Sequence, residues 1–71
     1  MKEIKSNITG TIVEILVQPG DTVQEGDELL TIESMKMHIP LESPFSGKIV
    51  EIKAQPNQQI SEGAVLFILE E

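Results

Sequence analysis

The chain has 71 residues, so it forms one domain at most, and at that length only about 60% of the unfolded surface is buried, which leaves a small core. Twelve acidic residues against five lysines and no arginine give a net charge of −7, and the only aromatic residues are Phe45 and Phe67; the chain repels phosphate backbones and has nothing from which to build a base-stacking platform, so nucleic acid is excluded as a partner. With no cysteine and a single histidine, His38, it has no disulfide framework, thiolate metal site, cysteine nucleophile or histidine metal cluster.

The first stretch, MKEIKSNITG, lacks the apolar run of a signal peptide, and no segment approaches the roughly 20 apolar residues of a membrane span. The expectation is a soluble cytoplasmic protein with no membrane partner, monomeric as an isolated domain.

Next come TIVEILV (11–17), a strand rich in β-branched residues, and then ELLTIE (28–33), a second strand. Gln18-Pro19-Gly20-Asp21 and Glu25-Gly26-Asp27 punctuate them. Proline presets φ and glycine accepts φ > 0, so these are tight reversals. After the Met-Lys-Met segment the pattern returns. KIVEIKA (48–54) and AVLFILE (64–70) are strands, with Gln55-Pro56-Asn57 and Glu62-Gly63-Ala64 between them.

Residues 10–33 and 47–70 align without a gap at an offset of 37. Gly10, Ile12-Val13-Glu14-Ile15, Gln18-Pro19, Glu25-Gly26, Leu29 and Glu33 recur as Gly47, Ile49-Val50-Glu51-Ile52, Gln55-Pro56, Glu62-Gly63, Leu66 and Glu70. Upstream, Ile4, Ser6 and Ile8 face Leu41, Ser43 and Phe45. Such a repeat governs architecture. Two copies are too few for a solenoid, so we expect one domain over residues 1–71, built from copies at about 2–33 and 39–70. About eight short strands should pack as a sandwich or flattened barrel. Expected inward positions are Ile8, Ile12, Ile15, Val23, Leu29, Ile32, Phe45, Ile49, Ile52, Ile60, Leu66 and Ile68. The glycines sit at turns and form no phosphate-cradling loop, which would need a following helix.

The symmetry also places Ser34-Met35-Lys36-Met37. Its equivalent in the second copy is the junction of the two chain ends, so hairpin and termini should lie at opposite ends of the domain. Lys36 would then stand on a hairpin tip. A tight hairpin prefers Asn-Gly or Asp-Gly, which this segment lacks. A local rule broken without structural gain points to function. On spacing alone, Met35 and Met37 fit equally well as core fillers with Lys36 outward between them. Lys2, Lys5, Lys48 and Lys53 read as surface charges. His38 reads as an exposed strand residue with no second ligand.

Glu33-Ser34-Met35-Lys36-Met37 closely resembles the attachment signature of biotinyl domains, the carrier modules of biotin-dependent carboxylases. The resemblance extends to Gly20-Asp21, Val23, Gly26 and Leu29 upstream and to Ser43-Pro44-Phe45, Gly47, Gly63 and Leu66 downstream. Lipoyl domains share the lysine hairpin but typically carry Asp-Lys-Ala. This sequence departs from the family pattern at Ser6-Asn7-Ile8, where Ala-Pro-Met is frequent, and at Asn57-Gln58, where Gly-Asp is usual; asparagine still tolerates a left-handed turn. There is no room for the protruding thumb of some bacterial carriers.

The resemblance implies an all-β, flattened barrel of two four-stranded antiparallel sheets with pseudo-twofold symmetry. It further implies that biotin protein ligase attaches biotin to Lys36 from biotinyl-adenylate, with Met35 and Met37 giving adaptable apolar contact. Glu33 would be a ligase recognition residue, or a solvated strand-end carboxylate like Glu70. The loaded domain would carry CO2 as carboxybiotin from a biotin carboxylase to a carboxyltransferase. It would not itself be an enzyme, since the chemistry belongs to the cofactor and its partners. The alternatives are a lipoate carrier, a domain that accepts both groups, and an unmodified β-sandwich adaptor with a Met-rich tip. A further rival is that the chain is a piece of a larger carboxylase rather than a stand-alone protein, which its ends do not distinguish.

Overall fold

The computed structural model describes all 71 residues. Its strands are β1 (Lys2–Lys5), β2 (Gly10–Ile15), β3 (Thr22–Val23), β4 (Glu28–Ser34), β5 (Met37–Glu42), β6 (Gly47–Ile52), β7 (Gln59–Ile60) and β8 (Val65–Glu70). They form two four-stranded sheets, ordered β1-β8-β6-β3 and β5-β4-β2-β7, with every neighbouring pair antiparallel. This is the expected all-β fold. Because strands of each copy enter both sheets, neither copy can bury its apolar face alone.

The 37-residue offset persists in the hydrogen bonds. Gly20 N–H donates to the Ile49 carbonyl and Asn57 N–H to the Ile12 carbonyl, both at 2.7 Å. Ser6 and Ser43 are buried, and each hydroxyl donates to the carbonyl two residues on, of Ile8 or Phe45, while accepting that residue's N–H. At the proline turns Gly20 has φ 97° and Asn57 φ 69°, so asparagine does adopt the left-handed conformation. Each turn is closed by a side chain: Asp21 Oδ2 accepts the Gln18 N–H at 2.9 Å, and Gln58 Oε1 accepts the Gln55 N–H at 3.0 Å.

The core lies between the sheets and comprises Ile4, Ile12, Val23, Leu29, Leu30, Ile32, Leu41, Ile49, Ala54, Ile60, Leu66, Phe67 and Leu69. Of the expected inward positions, Ile8, Ile15, Phe45 and Ile52 are half-buried against it. Ile68 is a correction: it is only partly buried, and Leu69 is buried in its place. Bulges are the reason. The β1–β8 register skips Leu66 and the β4–β5 register skips its repeat mate Leu29. Each bulge turns two consecutive residues inward, Leu66-Phe67 and Leu29-Leu30, after which alternation resumes on Leu69 and Ile32. Matching bulges at Val13 and Val50 turn those valines outward.

The strands expected to run to Val17 and Ala54 end at Ile15 and Ile52. Beyond them Leu16 N–H donates to the Leu29 carbonyl and Lys53 N–H to the Leu66 carbonyl, at the bulges. There the chain leaves one sheet and crosses to the other.

This topology separates the poles. Thr11 pairs with Glu33 beside the β4–β5 hairpin, so β2 starts at the hairpin pole. It runs away from it and feeds β3, which pairs with Gly47 and Lys48; Lys48 in turn pairs with Glu70 next to the C-terminus. The hairpin and the termini therefore occupy opposite ends of a body measuring 33 × 17 × 17 Å.

Candidate functional site

β4 anchors the site by burying Leu29, Leu30 and Ile32, then emerges at Ser34, whose partner across the hairpin is Met37. Only Met35 and Lys36 lie between them. Both have positive φ, 53° and 65°, as a type I′ turn requires. That turn suits the right-handed twist of the strands but not these residues, whose Cβ atoms make the left-handed region cost on the order of 1 kcal/mol or more each. The β4–β5 ladder, in register from Leu30↔Leu41 to Ser34↔Met37, holds the turn closed against that strain.

Met35 is 91% exposed and Met37 63%. The core-filler alternative is thus wrong: two apolar side chains stand in water on either side of an exposed lysine. The two ion pairs of the molecule, Lys2–Glu71 at 3.6 Å and Lys5–Glu3 at 4.0 Å, leave Lys36 free. Lys2, Lys5 and Lys48 all belong to the sheet β1-β8-β6-β3, and Lys53 follows β6. Lys36 is the one lysine on the β4–β5 hairpin of the other sheet. An unpaired amine on a rigid turn fits a cofactor bearing a carboxylate, because the two can join as an amide and the four-carbon stem supplies reach.

Glu33 is exposed and sits between His38 on β5 and Thr11 on β2. Its repeat mate Glu70 lies opposite Lys48, whereas Glu33 has a threonine there and no cation. His38 is exposed, as expected. A feature that the sequence reading did not find is a groove of about 410 Å³ lined by Thr9, Gly10, Thr11, Gln59, Ile60 and Ser61. It adjoins the hairpin base: a Cβ on Gly10 would come within 2.5 Å of the Glu33 carbonyl oxygen. The signal available in the sequence was the substitution of Lys48 for Thr11 between the copies.

Residues 2–69 match the biotin/lipoyl family model, described as "Biotin-requiring enzyme". The chain is 40% identical over 40 residues to the biotinylated protein TB7.3 homolog of Mycolicibacterium smegmatis, a match covering 56% of each chain. It is 49% identical over 35 residues to the methylmalonyl-CoA carboxyltransferase 1.3S subunit of Propionibacterium freudenreichii subsp. shermanii, covering 49% of this chain and 28% of that one. The chain thus spans little more than half the length of the TB7.3-type relatives that it matches, and less of the carboxyltransferase subunit. Among solved structures, the Kluyveromyces lactis urea carboxylase superposes with a TM-score of 0.90 at 25% identity, over 97% of this chain and 6% of that one. A single-chain, multi-domain long-chain acyl-CoA carboxylase superposes with a TM-score of 0.86 at 27% identity, over 93% of this chain and 7% of that one. The family match runs almost end to end, the two-sheet fold agrees, and an exposed lysine occupies the hairpin: the chain belongs to the biotin/lipoyl family and is a biotinyl domain.

Proposed function

We propose that Lys36 is the point of covalent biotin attachment, and that the loaded chain carries CO2 from a biotin carboxylase site to a carboxyltransferase site. The observation that carries this reading is the placement of Lys36: an exposed, unpaired amine on a two-residue turn, at the pole opposite both chain ends. The relatives named as a biotinylated protein and as a carboxyltransferase subunit support biotin over lipoate and support these kinds of partner.

Loading by a biotin protein ligase asks one thing of Lys36. Nζ gives up a proton and attacks the acyl carbon of biotinyl-adenylate; the amide C–N bond forms, the acyl–phosphate bond breaks and the nucleoside monophosphate leaves. Net charge falls from −7 to −8, because one cation becomes a neutral amide. Met35 and Met37 provide unbranched, polarizable surface that can repack against the ligase and then against each partner site. Glu33, three residues before the lysine, is the polar element that the ligase would read. Biotin, once bound, supplies a ureido nitrogen that takes up and releases a carboxyl group. The rigid hairpin keeps the base of the arm fixed, so only the arm itself is mobile, and tethering keeps its effective concentration at each partner site high.

The test is intact mass after incubation with biotin, ATP and ligase. The wild-type chain should gain one biotinyl group and Lys36→Ala none. A wild-type chain that gains nothing ends the reading, and a lipoyl increment from cells holding both ligases redirects it, because the two added masses differ.

A further inference from the structure

We propose that the groove beside the hairpin is a resting site on this chain for the neutral cyclic-urea headgroup at the end of its own Lys36 arm; the inference rests on biotin attachment at Lys36. Thr9, Thr11 and Ser61 line the groove with hydroxyls and Gln59 with a carboxamide, and none of the six lining residues is charged, although Glu33 stands beside Thr11. A cyclic urea presents two N–H donors and a carbonyl acceptor, and hydroxyl and carboxamide groups can meet either. Thr9 Oγ1 accepts the Glu62 N–H at 3.1 Å, which leaves its own O–H to donate.

The strand register brings the groove within reach of the arm. His38 on β5, Glu33 on β4, Thr11 on β2 and Gln59 on β7 are partners in one continuous row. The alternate residues Ile12 and Ile60 are buried, so Thr11 and Gln59 face outward. At about 4.8 Å per strand and about 3.3 Å per residue, Gln59 lies about 10 Å across the face from Glu33 and about 15 Å from the turn at Lys36. A lysine side chain extended by a five-carbon acyl chain has about ten bonds of about 1.5 Å, and advances about 12 Å when stretched, with the ring at its end adding about 4 Å.

The repeat supplies an internal control. At the offset of 37, Thr9-Gly10-Thr11 becomes Ser46-Gly47-Lys48, and Gln59-Ile60-Ser61 becomes Thr22-Val23-Gln24. The backbone arrangement is retained, since Glu25 N–H donates to Ser46 Oγ at 3.0 Å just as Glu62 N–H does to Thr9 Oγ1. Yet the molecule has one groove, and it lies on the half that carries Lys36. Thr11 faces outward, so core packing does not demand the difference between Thr11 and Lys48. A tethered headgroup has an effective concentration of about a millimolar, so even a millimolar affinity would fill the groove about half the time. Half-occupancy would lower capture of the arm by a partner site only about twofold, leaving it sheltered between visits but available.

The experiment compares the full chain before and after loading by 15N–1H correlation spectra, with intact mass confirming one biotin on Lys36. The expected result is shifts at Thr9, Thr11, Gln59 and Ser61, and nuclear Overhauser contacts from the ring N–H protons to those residues. Their mates Ser46, Lys48, Thr22 and Gln24 should not move. Thr11→Lys, which copies the second repeat, should abolish the shifts at Gln59 and Ser61 and raise the rate of avidin capture about twofold. Gln59→Ala, a milder change on a two-residue strand, should weaken the same contacts even if Thr11→Lys fails to fold. A singly loaded wild-type chain whose groove resonances match the unloaded chain overturns this inference alone. A chain that gains no mass overturns the attachment reading and this one with it.

Discussion

The two poles of the molecule are near-copies put to different uses. At one, β4 and β5 are joined by Met35-Lys36, with Glu33, Thr11 and Gln59 in a row beneath the turn. At the other, Glu70, Lys48 and Thr22 occupy the equivalent row, and the turn is replaced by the free ends Met1 and Glu71, where Lys2 reaches Glu71 at 3.6 Å and stands 4.5 Å from the centre of the Phe45 ring. The scaffold is shared to the level of single hydrogen bonds, so it cannot explain why one pole carries a free amine between two exposed methionines and the other an ordinary ion pair. On the proposed function, activity is concentrated where the copies differ, and stability where they agree.

Four perturbations test that division. The largest effect is expected from Lys36→Arg, which keeps the charge but offers a guanidinium in place of the amine: loading should vanish in a mass assay while the unfolding free energy from urea titration stays within about 0.5 kcal/mol of wild type. Next come the shared bulge positions. Leu30→Ala and Phe67→Ala each empty a fully buried site, and should cost about 2–5 and 3–5 kcal/mol in denaturant titrations; a large loss at only one of them would show that the copies are energetically unequal.

The glycine pair sharpens the contrast. A Cβ on Gly10 would press on the Glu33 carbonyl, and one on Gly47 on the Glu70 carbonyl, each at 2.5 Å. Gly10→Ala and Gly47→Ala should each cost about 1–3 kcal/mol. Only Gly10→Ala should also lower kcat/KM for ligase, because only Glu33 supports the lysine turn; equal kinetic losses would dissolve the distinction between the poles. The smallest effect is expected from Met35→Asn, which accepts positive φ more readily and should raise stability by about 0.5–1 kcal/mol. Loading should fall at the same time, because an apolar contact is lost. A rise in both would mean that the methionine serves neither.

Much of this could be read from the chain. The repeat placed Lys36 opposite the termini, and Asn57 was expected to turn left-handed in the place of Gly20 because short amide side chains tolerate that region. Strict alternation failed at Ile68, and it failed for a nonlocal reason: which residue of β8 is skipped depends on how β1 pairs with it from the far end of the chain. The even choice between core filler and exposed tip for Met35 and Met37 was likewise beyond local spacing. It was resolved by the Ser34↔Met37 pairing, which leaves two residues for the turn and no third.

Turn chemistry, strand propensity and the doubled pattern act over a few residues, through steric limits on φ and the period-two pleat, so they are written directly in the order of amino acids. Bulge positions, the exposure of the methionines and the single groove depend instead on which strand lies beside which. The groove arises only when Thr11 of β2 meets Gln59 of β7, residues 48 positions apart in the chain, and in the other half the equivalent positions carry Lys48 and Thr22. Contacts of that kind form only when two sheets close over a common core, because neither copy can bury its own apolar face.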